Sequence, residues 1–457
     1  MKIRLIRLLV ALAVVAGLYL PANAQEATKF SIKEAVEYAK KNNLSLQKTR
    51  IDEKLSNQKV KEILASGLPQ ISAGASYTNN IQIATQRLPN FINDALPPGS
   101  PRGPEYINAQ FGLANSLTVN GQLNQLIFDG TYFLGVKAAQ EYVEMSTLAT
   151  QQTEIEIEIN TIKAYYSVLM ADERIEQLSA SLRSLDSTLF TMSAMAIQGF
   201  AEAVDTTRIA LSRSNLAIQK ARLEDQRKVM LNVLKLQMGF DMSKDIQLTE
   251  TSETLEAKMK VLNVDANGNI SARPEYKILE QQIKLGILDK RRYQVGYYPT
   301  LNGFISHQQN TFASKGELSQ LGNPWFPGTS WGLTLHVPIF TGFRQRSFIQ
   351  QADLRLQQYQ ITKTQFEQSY QNEVFTARTS YLRALESYNL QKKNMELATE
   401  IKRIAKIKLQ EGLGTSLEYT TAETESNTTE TNLLIALYEL MVSELEYRKA
   451  TGGKILE

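Results

Sequence analysis

Ile127-Phe128-Asp129-Gly130 returns 212 positions later as Ile339-Phe340-Thr341-Gly342. Gly199 and Asp205 reappear as Gly412 and Glu418, and Met238-Gly239 as Thr451-Gly452, each 213 positions on. Leu68-Pro69-Gln70-Ile71 is echoed 230 positions on by Tyr298-Pro299-Thr300-Leu301, so the first copy holds the longer connection between its strands. Each copy has the order helix, two strands, long helix, turn, long helix. Self-similarity of this size marks an internal duplication and constrains the architecture before any local motif is weighed.

The strands are marked by period-2 alternation. Ile71, Ala73, Ala75 and Tyr77 alternate with Ser72, Gly74, Ser76 and Thr78. Phe111, Leu113, Leu117, Val119, Gly121 and Leu123 alternate with Gly112, Ala114, Ser116, Thr118, Asn120, Gln122 and Asn124. In the second copy Trp331, Leu333, Leu335, Val337 and Ile339 alternate with Gly332, Thr334 and His336, and Pro299–Gln308 supplies the fourth strand with a less regular pattern. One face is apolar, and the other is Asn, Gln, Ser, Thr and Gly with almost no charge. A soluble sandwich with a wet outer face fits this pattern. A membrane barrel with lipid on one side and water on the other fits it better, because each strand is about membrane-spanning length. Trp325, Phe326 and Trp331 would then form an interfacial aromatic girdle. Four strands cannot close a barrel, since small barrels need about eight and open edges are not tolerated in lipid. Two copies would give eight strands, and three would give twelve.

The long helices are the other half. Tyr132–Gln198 and Phe343–Glu411 contain no proline, and at about 1.5 Å per residue each would reach roughly 100 Å. Val168, Ile175, Leu182 and Leu189 recur every seven residues, as do Ala171, Leu178, Leu185 and Met192. Ile209, Leu216, Leu223 and Met230 do the same on the return helix, which predicts a coiled-coil seam. The second copy keeps the repeat less cleanly, through Leu390, Leu397 and Ile404 and through Leu433, Leu440 and Tyr447. Thr153–Ile159 alternates like a strand but has helical flanks. Ser31 and Glu34 form a capping box that opens the first helix, and Asn42-Asn43 interrupts it.

Met1–Ala24 has the form of a secretory signal: Lys2, Arg4 and Arg7, then apolar Leu8–Leu20, then Ala22-Asn23-Ala24. The whole chain carries 50 Lys and Arg against 47 Asp and Glu. Removal of a signal with three bases and no acids would balance them, so a nucleic-acid partner is not expected. The absence of cysteine rules out a disulfide scaffold, thiol chemistry and a lipid-modified cysteine. No nucleophile–base pair, phosphate loop or metal spacing stands out, and His307 and His336 lack the spacing of metal ligands. Neither an enzyme nor a bound cofactor is expected. Met192 and Met195, like Tyr165-Tyr166, suit packing better than a soft-metal site or a substrate contact.

Taken in order and twice over, these features resemble the TolC-type outer-membrane efflux proteins across the mature length. The features are the opening Ser31-Ile32-Lys33-Glu34-Ala35-Val36-Glu37-Tyr38-Ala39 followed by Asn42-Asn43, with Leu68-Pro69 and Tyr298-Pro299 before the outbound strands. To these are added Ile127-Phe128-Asp129-Gly130 and Pro338-Ile339-Phe340-Thr341-Gly342 at the strand-to-helix junctions, and a glycine followed six positions later by an acid after both hairpin tips. The resemblance implies a mainly α fold with membrane β. It also implies a homotrimer whose protomers each give four strands to a twelve-stranded outer-membrane barrel and their long helical hairpins to a periplasmic α-barrel. Such a chain would sit in the outer membrane of a Gram-negative-type bacterium, with a long periplasmic portion. It would act as a passive duct, partnered by a periplasmic adaptor (membrane fusion) protein, an inner-membrane pump and outer-membrane lipid. The alternative from another class is a periplasmic coiled-coil adaptor or scaffold with a soluble β-domain.

The expected divisions are a signal peptide at 1–24, the N-terminal equatorial and inbound helices at 25–68, and the first strand pair at 69–130. The first long hairpin follows at 131–240 and the inter-repeat linker at 241–273. The second inbound helix, strand pair and hairpin then occupy 274–298, 299–342 and 343–451, before a tail at 452–457. On the family pattern Glu418 belongs to the carboxylate ring at the periplasmic mouth, where an acidic ring favours cations. The family's second acid falls on Thr421, and Asp205 is the first-copy counterpart, expected to pair across the bundle or to cap a helix. The exposed tips, with Gly199 and Phe200 in one and Gly412, Leu413 and Gly414 in the other, would dock the adaptor.

Overall fold

The computed structural model describes residues 28–95, 97–258, 264 and 268–456. The expected signal at 1–24, and the linker residues Asp265 and Asn267, lie outside them. In chain order the elements are β1 (Thr28–Phe30), α1 (Ile32–Asn42), α2 (Leu44–Ala65), β2 (Gln70–Asn79), β3 (Thr85–Pro89), α3 (Ile92–Ala95), β4 (Tyr106–Gln110), β5 (Asn115–Phe128), α4 (Gly130–Ile197) and α5 (Ala203–Met238). The second half holds β6 (Ile246–Leu248), α6 (Ser252–Lys258), α7 (Pro274–Val295), β7 (Thr300–Ala313), β8 (Phe326–His336), α8 (Arg344–Gln410) and α9 (Ser416–Thr451). Two units emerge. The first takes in Met1–Glu53, Met145–Glu280 and Ile361–Glu457, and the second Lys54–Glu144 and Gln281–Gln360.

In the first unit β1 pairs in parallel with β6. The Ser31 hydroxyl accepts from the Glu34 N–H at 3.3 Å, while the Ser31 N–H donates to the Glu34 carboxylate at 2.8 Å. The capping box therefore satisfies two otherwise orphaned donors at the start of α1. Ile32, Ala35, Val36 and Ala39 form its buried stripe. Asn43 then ends α1 and begins α2, because its side-chain oxygen accepts from the N–H groups of Ser45 (2.9 Å) and Leu46 (3.2 Å). Its amide nitrogen donates to the carbonyl of Gln237 at the end of α5 (2.7 Å). Directly beyond that end sits Gly239, at φ 66°. A Cβ on Gly239 would lie 2.3 Å from the Asn42 carbonyl oxygen, so both conformation and close approach require glycine.

Thr153–Ile159 lies within α4. Its alternation arises because the helix is enclosed on several sides, with Ile157, Ile159 and Ile162 all buried. Tyr165 is buried in the same core, and its hydroxyl donates to the Phe30 carbonyl at 3.0 Å. Burial pushes its pKa up to about 12. A separate core gathers Leu178, Leu185 and Met192 of α4, Ile209 and Leu216 of α5, Leu409 of α8 and Tyr419 of α9. The heptad residues of the first hairpin are thus used within one chain. Those of α8 are not: Leu390, Leu397 and Ile404 lie open to solvent, Leu397 with 65% exposure.

The second unit holds a four-stranded antiparallel sheet in the order β2-β5-β7-β8. Cross-strand rows run Ile71–Leu123–Ile305–Trp331 on one face and Ser72–Gln122–Ser306–Ser330 on the other. The strands differ from the sequence pattern at three points. The alternation beginning at Phe111 overreaches: Gly112 turns the chain at φ 113°, and β5 starts at Asn115. Buried Asn115 holds that start, accepting from the Tyr77 hydroxyl at 2.8 Å and donating to the Ser314 carbonyl at 2.9 Å. The segment before it is not a plain loop, since β3 and β4 pair as an antiparallel ribbon. At the far side β7 extends to Ala313, while β8 stops at His336, which faces the first residue of β7 and has no further partner along it.

Candidate functional site

Both hairpin turns are built alike. Gly199 (φ 81°) and Gly412 (φ 72°) take the left-handed conformation that ends α4 and α8. At the first turn the Phe200 N–H donates to the Met195 carbonyl at 2.8 Å, and at the second the Leu413 N–H donates to the Lys408 carbonyl at 2.9 Å. Gly414 is small for a different reason, since a Cβ there would meet the Lys408 Cβ at 2.9 Å. The fixed turns leave Phe200 and Leu413 exposed. Two similar apolar tips result.

The acids at the tips are held differently. Glu418 lies in the first turn of α9, whose N-cap Thr415 accepts from the Glu418 N–H at 3.1 Å. Its carboxylate accepts from the Lys408 ammonium, also at 3.1 Å, closing an ion pair across the turn. Asp205 reaches the other hairpin, accepting from the hydroxyl of buried Ser416. The same hydroxyl accepts from the Arg208 guanidinium at 3.1 Å. Thr421, one helical turn beyond Glu418, is exposed and lines a groove of about 730 Å³ with Arg208, Ser212, Asn215 and Thr424.

A buried polar layer further along α9 was not singled out from the sequence. Glu423 is 1% exposed, and one carboxylate oxygen pairs with the Lys402 ammonium of α8 at 3.0 Å. Its second oxygen has no hydrogen-bond partner among the described residues. Asn427, one turn on, donates to Glu423 and accepts from the Ser181 hydroxyl of α4. Arg174 of α4 donates to the Asn427 carbonyl at 3.0 Å and pairs with Glu430 at 3.4 Å. Burial pushes the Glu430 carboxyl up and the Arg174 guanidinium down. The signal in the sequence is a helical stripe of polar residues, Glu423, Asn427 and Glu430, on the helix whose later part carries the apolar repeat Leu433, Leu440 and Tyr447.

The aromatic residues assigned to a girdle do not share one strand end. Phe326 begins β8, with Trp325 just before it, whereas Trp331 lies five residues further along, about 17 Å away at strand rise. Trp331 belongs to the apolar rows and Phe326 to the polar ones. Among the described residues no helix is long and apolar enough to cross a membrane. No group of three or more His, Cys, Asp or Glu among them could hold a metal ion. His307 bonds to the Thr329 hydroxyl at 2.7 Å, and Met192 packs in the hairpin core.

A family profile described as "Outer membrane efflux protein" matches residues 35–239 and 291–453, both repeats and most of the chain. The chain belongs to the outer membrane efflux protein family. The outer membrane protein TolC of Salmonella enteritidis is 22% identical over 460 residues, covering 96% of this chain and 86% of the relative. The fold is shared with a membrane protein from Pseudomonas aeruginosa at a TM-score of 0.71, with 19% identity and coverage of 94% of this chain and 93% of that one. It is shared also with the Neisseria gonorrhoeae MtrE outer membrane channel in its open state, at a TM-score of 0.69 with 17% identity, covering 93% and 89%. The efflux family thus accounts for the mainly α fold with its four-stranded sheet.

Proposed function

We infer that the protein is a passive outer-membrane channel-tunnel that carries the cargo of a tripartite efflux or secretion system across periplasm and outer membrane. The four-stranded sheet carries this reading: it has open edges at β2 and β8, one face with apolar rows such as Ile71–Leu123–Ile305–Trp331, and an opposite polar face without Asp, Glu, Lys or Arg. In lipid the open edges must be paired, and the amides of the polar face must meet water. A homotrimer satisfies both demands by closing twelve strands around a water-filled lumen. The open leucines of α8 favour the same assembly, because a second copy can cover them.

In that assembly the helical hairpins form a periplasmic duct and the exposed Phe200 and Leu413 meet a periplasmic adaptor, which joins the duct to an inner-membrane pump. Glu418 stands at the periplasmic constriction in three copies, with Asp205 bracing the neighbouring turn. Trp331 faces lipid, as does the apolar row that contains it. Family membership favours this channel over a soluble coiled-coil adaptor.

Purification from the outer-membrane fraction, followed by mass measurement in detergent and single-channel recording, tests the reading. A detergent-dependent trimer that conducts ions is expected. A water-soluble monomer would overturn it.

A further inference from the structure

The polar face of the sheet carries three phenylalanines among Ser, Thr, Asn, Gln and Gly. Phe304 lies flat against the sheet, because its neighbour on β8 is Gly332: a Cβ there would sit 2.8 Å from the Phe304 Cζ. Gln308 lies over Gly328 in the same manner. Phe312 and Phe326, at the opposite end of the strands, have no such seat. Their ring centroids are 6.0 Å apart with the planes tilted by 42°, and the two residues remain 41% and 51% exposed. Phe326 stands opposite Asn310 and Phe312 opposite Ser116, so hydroxyl and amide groups flank the pair.

A ring half in water on a wet face gains little from burial, so the fold does not explain this pair. Its chemistry specifies an occupant. Residues 70–78, 116–124, 302–312 and 326–334 contribute no acid or base to this face at their alternate positions. Ion pairing therefore plays no part in recognition there. Two tilted rings offer edge and face to a third aromatic ring, and their faces attract a cation attached to it. Flanking hydroxyls and amides keep the surroundings hydrated, so the hold stays weak, as a conduit requires if its cargo is to leave.

We propose that Phe312 and Phe326 form a low-affinity subsite for an aromatic ring of a solute passing through the channel. The proposal rests on the channel reading, since it takes the polar face of the sheet as the water-filled side.

The full-length protein, reconstituted in planar bilayers, is titrated with tetraphenylphosphonium or with tetrabutylammonium, which carries the same charge without rings. The aromatic cation is expected to block the current at a concentration about five-fold lower, the scale of one aromatic contact. In F312L/F326L, which keeps the apolar volume and so the strand ends, the two cations should block alike, whereas F304L should keep the preference. Equal block in the parent protein, or a preference that survives in F312L/F326L, overturns the subsite and leaves the channel standing. A trimer that conducts no ions removes the channel reading itself, and the subsite with it.

Discussion

Lys408, in the last turn of α8, holds its ammonium 3.1 Å from the carboxylate of Glu418, in the first turn of α9. The acid expected to line the constriction is therefore neutralised within its own hairpin. At the proposed constriction its field would be that of an ion pair, weaker than that of a bare carboxylate.

Removing the lysine should unmask that charge. In bilayers with a salt gradient, K408M is expected to shift the reversal potential toward greater cation preference, and E418Q to shift it the other way. Both residues are about half exposed, so the change in stability should stay within about 0.5 kcal/mol. Reversal potentials identical to the parent's in both variants would take the pair out of the conduction path.

Lys402 and Glu423 make the opposite case, because the carboxylate is buried. Deleting the cation alone leaves an uncompensated buried charge, so K402M should cost about 3–5 kcal/mol. K402M/E423Q should recover most of that loss in chemical unfolding experiments. A K402M loss below about 1 kcal/mol would mean that Glu423 finds water or another partner.

Glu430 sets a pH dependence. Burial raises its pKa above the ordinary 4.5, so the folded chain binds this proton more tightly than the unfolded chain does. Its contribution to stability is therefore present in full below pH 4.5 and is lost as pH rises through the raised folded value. E430Q should lose less stability than the parent between pH 4.5 and neutrality, as read from thermal midpoints. A steeper loss in E430Q would reverse the sign assigned to burial and show that the Arg174 pairing dominates.

The two kinds of heptad leucine should separate folding from assembly. Leu185 is fully buried within one chain, and L185A should destabilise it by about 2–5 kcal/mol. Leu397 is exposed in one chain, so L397A should leave the unfolding of a single chain nearly unchanged. The same substitution should lower the detergent resistance of the oligomer. An L397A oligomer as resistant as the parent would show that another surface holds the copies together.

What the sequence shows clearly is what depends on local chemistry. Ser31 with Glu34, Asn43 between two helices, and Gly199 and Gly412 at the turns each act through neighbours a few residues away. The alternating rows of β2 and β5 are legible because period 2 holds on both faces, whereas β7 breaks it, with His307, Gln309 and Thr311 on the apolar side and Phe304 and Phe312 on the polar side. The Glu418–Lys408 pair was not legible, because a ten-residue separation becomes a contact only once the turn geometry is known. Asp205 and Ser416 lie 211 residues apart and meet only through the packing of the two hairpins. The ribbon of β3 and β4 was hidden by the Pro- and Gly-rich run between its strands. Trp331 and Trp325 are near in sequence, but strand rise carries Trp331 well along β8 from Trp325.

Asn79 pairs with Asn115, and the Asn80 N–H donates to the Ala114 carbonyl at 2.7 Å, so the ladder closes beneath residues 81–113. That excursion pairs within itself through β3 and β4, and its described residues contribute no rung to the main sheet. Its far end, beyond the Pro89–Tyr106 pair, is therefore a natural grafting point. A foreign peptide, an epitope or a dye-binding tag spliced there would hang from a stem that is already sealed, turning the protein into a display scaffold with its strand pairing untouched.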